Sequence, residues 1–218
     1  MTKKKPSSAK AKATKAAGTK KPADMQTRIL EAALPDVAFD GWSDDLLDRA
    51  AARLGIARSV VDGAFPDGCT GLIRQFALWA DDKTVAQLKP ARMAALRVRD
   101  KIALGVETRL EVLMPYKAAV GAALAYMARP PRARHMPKIV WQTADALWRA
   151  AGDTSTDYNH YTKRLLLSGV LSSTMLYWLN DNSDDGEKTR AFLQKRIDNV
   201  LKIGGVIGKI KARREGGK

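Results

Sequence analysis

The sequence predicts an all-α chain, and three observations carry that expectation. Apolar residues recur at helical spacing over most of the length, strand alternation is not sustained anywhere, and the periodic stretches are punctuated by Gly and Pro. Of the 218 residues, 45% are apolar, enough for one packed unit plus tails.

The elements follow in order. Residues 1–23 form a lysine-rich, low-complexity stretch that cannot bury enough apolar surface to offset its ordering entropy. Ile29, Leu30, Ala33, Leu34 and Val37 place a helix over 25–39, ended by Gly41. Ser43 caps a second helix, with Asp44 and Asp45 where the helix dipole favours anions and Leu46, Leu47, Ala50, Ala51 and Leu54 on its inner face. Gly55 makes a tight turn into a short helix near 57–64, and Phe65-Pro66-Asp67-Gly68 breaks the chain. Further helices are expected at about 69–87, 92–113, 116–128, 136–151, 154–180 and from 187 toward 210.

Composition excludes several classes. No run of 18 apolar residues exists, so no spanning helix is expected, and the N-terminus lacks the apolar region of a secretory signal. The tail contains no arginine, which disfavours a mitochondrial presequence. A single cysteine, Cys69, fits a reducing cytosol. Two histidines without metal-ligand spacing argue against zinc, and no E-x-x-H pair supports a bundle-held iron centre; neither metal nor cofactor is expected. No G-x-S-x-G elbow, Walker loop or dinucleotide fingerprint is present, so the chain reads as a non-enzyme.

The net charge of +15 is uneven. Residues 1–23 carry eight lysines and no acid; residues 24–82 carry five basic residues against eleven acids; residues 83–218 carry twenty-five against twelve. The middle segment matters because residues 28–76 resemble the DNA-binding head of the TetR repressors. The likeness lies in Ile29-Leu30-x-x-Ala33, Gly41-Trp42, Ala51-x-x-x-Gly55-Ile56, Phe65-Pro66 and Leu72-Ile73. It implies a TetR-like fold, a helix-turn-helix head followed by a helical ligand-binding domain. Fold does not carry function. The recognition segment Ala57–Phe65 offers one arginine, one acid and two valines, and the head is net negative, so no specific DNA partner is expected.

The second half carries a longer likeness. Asp153-Thr154-Ser155-Thr156-Asp157, Tyr161-Thr162-Lys163-Arg164, Leu176, Asp181-x-Ser183 and Phe192-Leu193-x-x-Arg196-Ile197 closely resemble the COQ9 family of ubiquinone-biosynthesis accessory proteins, in its bacterial form. With the head, the likeness covers about 24–203. The resemblance implies a homodimeric, non-catalytic lipid binder. It would hold an isoprenoid quinone intermediate or phospholipid and present it to a COQ7-type di-iron hydroxylase. It would work in the cytoplasm, peripheral to a bacterial inner membrane with an anionic surface. The family usually has tryptophan where this chain has His160. A ligand-responsive TetR-type regulator is the alternative, separated by head charge. The implied division is a tail at 1–23, a head at 24–88, a lipid-binding domain at 89–201 and a basic amphipathic segment at 202–218.

Site residues follow, each with an alternative. Trp79, Leu96, Ile102, Leu110, Tyr126, Trp141, Leu147, Trp148, Leu167, Leu171, Met175 and Trp178 could line an apolar lipid cavity or form an ordinary close-packed core. Asp157, His160, Tyr161 and Arg164 share one helix face and form an exposed partner surface; the polar string before them also reads as helix capping by Asp153 or Thr154. Ile203, Val206, Ile207 and Ile210 make a stripe flanked by Lys209 and Lys211, the composition of a membrane-surface helix, or else a frayed basic tail. The N-terminal lysines read as a solvated tail or as a tether to anionic lipid.

Overall fold

A computed structural model describes residues 22–215, with side chains from Asp24 to Val200 and at Lys202. The basic tail before residue 22 and the side chains of Ile203, Val206, Ile207, Lys209, Ile210 and Lys211 lie outside the described residues. Every regular element among the described residues is helical: α1 (Pro22–Asp40), α2 (Asp44–Leu54), α3 (Arg58–Ala64), α4 (Gly68–Gln87), α5 (Pro90–Ala94), α6 (Val98–Leu113), α7 (Lys117–Met127), α8 (Met136–Ala150), α9 (Tyr158–Leu179) and α10 (Glu187–Glu215). Short 3-10 turns at Met114–Tyr116, Arg132–His135 and Asp184–Gly186 join them. No helix is long and apolar enough to cross a membrane among the described residues.

The head forms as its residues dictate. The Ser43 hydroxyl accepts the Leu46 N–H at 3.3 Å and starts α2. Gly55 ends it at φ 62°, in the left-handed region, while the Ile56 N–H returns to the Ala51 carbonyl at 2.9 Å. The Asp44 carboxylate accepts the Cys69 N–H at 2.7 Å, tying the start of α2 to the start of α4. Gly68 is required there: its φ is 54°, and a Cβ would sit 2.5 Å from Asp44 Oδ1.

Helix α4 then runs from the head into the body. It buries Leu72, Ile73, Phe76 and Trp79, and an aromatic chain Trp42–Phe76–Trp79–Tyr116 crosses the junction with centroids 5.4–6.1 Å apart. The Trp42 indole N–H donates to the Ala119 carbonyl of α7 at 2.9 Å. One hydrophobic cluster therefore joins α1, α2 and α4 to α6, α7 and α8, and Trp178 of α9 completes it. A second cluster, built on Met93, Ile102, Val106, Leu147, Leu167, Leu171, Leu193 and Ile197, lies among α5, α6, α8, α9 and α10.

Two elements differ from the sequence expectation. The helix expected over 92–113 is broken at Ala95–Arg97. Met93 and Ile102 both enter the second cluster, yet nine residues apart they would face opposite sides of one straight helix, so packing selects the break. The helix expected from 154 starts at Tyr158, and its cap is Asp157, whose carboxylate accepts the Asn159 N–H at 3.0 Å. Asp153 and Ser155 are held elsewhere.

Candidate apolar-ligand site

A cavity of about 460 Å³ opens within the body, a volume in the range of small-ligand sites. Ile73, Phe76 and Ala77 of α4 form its floor. Leu113 of α6, Val120, Ala123, Leu124 and Met127 of α7, Met136, Ile139 and Val140 of α8, and Leu171, Met175 and Leu176 of α9 form its walls. Its mouth lies among Ala128, Ala133, Ser172 and Leu176, which are exposed. Ala123, whose side chain ends at Cβ, leaves room on the α7 wall.

One charged group reaches the wall. Arg109 is buried, its Nε donating to Asp81 Oδ1 at 2.8 Å and its Nη2 to Thr143 Oγ1 at 3.4 Å, while Thr143 Oγ1 donates to Asp81 Oδ2 at 2.9 Å. Burial raises the Asp81 carboxyl against the pull of the Arg109 guanidinium. The cation at the wall is thus partnered within the protein, and the cavity suits an uncharged apolar ligand. Burial also pushes the Cys69 thiol up to about 12, which leaves it unreactive.

Of the expected cavity residues, Leu171 and Met175 are on this wall. The other ten are elsewhere. Trp79 is buried at the head–body junction, its indole N–H on Glu31 at 3.2 Å, and lines a separate, more polar cavity with Lys83 and Tyr116. Leu110 and Trp178 are core of the first cluster, with Tyr126 packed against it. Ile102, Leu147 and Leu167 are core of the second, and Trp148 packs on it with its N–H on the Lys163 carbonyl at 3.1 Å. Leu96 sits half-buried in the α5–α6 link, and Trp141 lies half-buried beside Tyr161 with ring centroids 6.2 Å apart.

The expected partner face is also redrawn. Arg164 is buried at 1% exposure, not on the surface. Its Nε donates to Asp145 at 2.6 Å and its Nη1 to Asp153 at 3.0 Å and to the His160 carbonyl at 3.1 Å. Helical spacing placed it beside Asp157, but two inward carboxylates turn its side chain between α8 and α9. Asp157 serves as the cap, and half-buried His160 is held through Nδ1 by the Ser155 carbonyl at 2.9 Å. Tyr161 is exposed. The exposed apolar side of α9 is instead Tyr158, Tyr161, Leu165 and Leu176, with Ser172 between the last two.

The COQ9 family model matches residues 133–204. The mitochondrial ubiquinone biosynthesis protein COQ9 of Bos taurus is 31% identical over 195 residues, covering 86% of this chain and 61% of its own length. Its counterpart in Homo sapiens is 30% identical, covering 86% and 61%, and that in Xenopus tropicalis is 32% identical, covering 83% and 59%. The chain is a COQ9 relative. It spans about 60% of the length of these relatives. A TetR transcriptional regulator from Nitrosomonas europaea superposes with a TM-score of 0.62 at 18% identity, covering 82% of this chain and 98% of the regulator, so the fold is TetR-like.

The COQ9-matching stretch contains the cavity walls of α8 and α9 and also a polar lock. Asp153 accepts from Lys163 at 2.6 Å, from Ser155 at 2.9 Å and from Arg164, which pins the 152–157 segment over the start of α9. Burial alone would raise this carboxyl; the hydrogen bonds from Lys163, Ser155 and Arg164 overcome it and hold Asp153 well below the usual carboxylate range. Asp181 does the same at the far end of α9. It accepts from Thr189 Oγ1 at 2.6 Å, Ser183 Oγ at 2.7 Å, the Thr189 N–H at 2.8 Å and the Ser183 N–H at 2.9 Å, and these bonds hold it below the usual range.

A depressed folded-state carboxyl contributes stability that is present above the unfolded value, roughly pH 4, and is lost as pH falls through the folded one. The stability gap between wild type and Asp181→Asn should therefore be full at pH 6 and close toward pH 2. Urea midpoints across that range test it; a gap independent of pH would refute the assignment.

Proposed function

We propose that this chain is a non-catalytic lipid-binding protein of ubiquinone biosynthesis, which holds an uncharged isoprenoid quinone intermediate in the α4–α9 cavity and presents it to a COQ7-type hydroxylase. The cavity carries the reading: an apolar enclosure whose one cation is already paired suits a prenylated ring better than an acid or a phosphate. The relatives' names supply the pathway. The exposed Tyr158, Tyr161 and Leu165 offer a docking face for the hydroxylase, since exposed aromatics are frequent anchors of such contacts. A homodimer with a head at 24–88 and a lipid domain at 89–201, peripheral to a membrane, completes the reading.

The head supports no operator-binding role. Arg58, the basic residue of α3, is bound to Asp48 and Asp62, and Arg49, Arg53 and Arg74 are each paired with head aspartates. Cations already neutralised gain little from phosphate. Native mass spectrometry of the purified chain, before and after incubation with a short-tailed polyprenyl quinone in detergent, tests the proposal. A co-purifying neutral lipid displaced one-for-one by the quinone is expected. Absence of any bound lipid, or selection of one duplex sequence at physiological salt, would count against it.

A further inference from the structure

From Val112 to Ala144 the chain contains no Asp or Glu, yet it carries Lys117, Arg129, Arg132, Arg134 and Lys138. The last four gather on the segment that frames the cavity mouth. Arg129 follows Ala128, Arg132 and Arg134 flank Ala133, and Lys138 lies two residues past Met136; Ala128 and Ala133 line the opening and Met136 the wall. Arg129, Arg134 and Lys138 are exposed. Arg132 lies over the Tyr126 ring, 3.8 Å from its centroid, and Arg134 Nε donates to His135 Nε2 at 3.3 Å. None of the four pairs with a carboxylate among the described residues, whereas Arg49, Arg53, Arg58 and Arg74 of the head all do.

The mouth therefore combines unneutralised cations with apolar surface. Ala128 and Ala133 on one side and Leu176, at 57% exposure, on the other line the opening, and the exposed Pro130 and Pro131 lie between the first two in the chain. A cationic rim around an apolar opening matches an anionic bilayer surface in both charge and polarity. We infer that the cavity mouth is itself a membrane-docking surface: Arg129, Arg132, Arg134 and Lys138 seat the opening on anionic headgroups, so that an apolar ligand passes between leaflet and cavity without crossing water. Exposing a polyprenyl tail to water costs free energy in proportion to its area, and this seating removes that step. The inference rests on the proposed lipid-binding role, and it assigns membrane contact to a surface remote in sequence from the C-terminal basic segment.

The test uses the full chain with a solvatochromic label at Ala133→Cys, and at Ser59→Cys on the exposed side of α3 as reference. Buried Cys69 does not compete for the label. With vesicles of phosphatidylcholine and phosphatidylglycerol at low salt, the label at 133 is expected to shift to an apolar environment and that at 59 to stay aqueous. Pure phosphatidylcholine, or high salt, should abolish the shift. The triple variant R129Q/R134Q/K138Q, which leaves Arg132 on its ring, should lower partitioning into anionic vesicles by about fivefold per charge removed. Three tail changes, K3Q/K4Q/K5Q, should leave the label shift at 133 in place. Sedimentation with vesicles while the label at 133 stays in water would overturn the inference, as would no vesicle binding at all. An equal shift on duplex DNA at matched phosphate would assign the rim to nucleic acid and overturn it too. Native mass spectrometry separates the two readings. A chain that keeps its ligand but shows no shift at 133 loses this inference alone. A chain that docks through 133 but holds no lipid loses the lipid-binding role.

Discussion

Replacing Arg164 by methionine is expected to destabilise the chain by about 3–5 kcal/mol, the usual cost of removing one partner from a buried ion pair. The guanidinium is almost wholly buried, with Asp145 at 2.6 Å and Asp153 at 3.0 Å. Without it, Asp153 would keep Lys163 and Ser155, but Asp145 would keep only Arg149, an exposed partner at 2.8 Å. Asp145 is half-buried and Asp153 nearly wholly so, and each would lose a charged partner that offsets its desolvation. The 152–157 segment would also lose its hold on α9, and with it the wall of the cavity. Tyr161→Ala, three residues earlier and exposed, should change stability by no more than about 0.5 kcal/mol. Urea denaturation of both variants checks the contrast. Equal small effects would mean that the Asp145–Arg164–Asp153 cluster is dispensable to the fold.

That contrast marks where sequence reading succeeds and fails here. Helix existence was legible because apolar periodicity and Gly55, Ser43 and Pro90 act locally, within a turn or two. The TetR-like fold was legible because its turn needs a small buried residue at Ala51 and a left-handed φ, here 62°, at Gly55; no close helix crossing requires the latter, since a Cβ there would meet nothing within 4 Å. The burial of Arg164 was not legible. Spacing along one helix gives its angle but says nothing of Asp145, on another helix, which turns the side chain inward. The break at Ala95–Arg97 was hidden for the same reason, since no Gly or Pro marks it and only the shared cluster of Met93 and Ile102 requires it.

The cavity shows the limit most clearly. Composition offers the large apolar side chains as lining or as close-packed core, and Trp178, Leu147 and Leu167 fill space and so make core. A void arises where side chains are small, and the readable signal is the small-residue run Ala118-Ala119-Val120-Gly121-Ala122-Ala123 in α7, of which Val120 and Ala123 reach the cavity wall.

That origin sets the second large effect. Ala123→Phe should place a ring in the cavity of about 460 Å³ and reduce affinity for a polyprenyl quinone by about 10–100-fold, which is roughly 1.4–2.8 kcal/mol. Ala123 is buried on the wall, so the added ring has nowhere else to go. Into a close-packed site the same change would cost about 1–3 kcal/mol of overpacking; into a void it gains contacts, and the melting temperature should hold or rise. Met175→Trp, from the opposite wall on α9, should act in the same direction and guards against a local misfit at one position. Trp178→Ala is the control. It removes a buried ring from the core and not from the wall, so it should lower stability by about 3–5 kcal/mol. Calorimetry with the quinone and thermal melts on the three variants decide the matter. If Ala123→Phe and Met175→Trp both bind as wild type while remaining folded, the ligand lies outside this cavity.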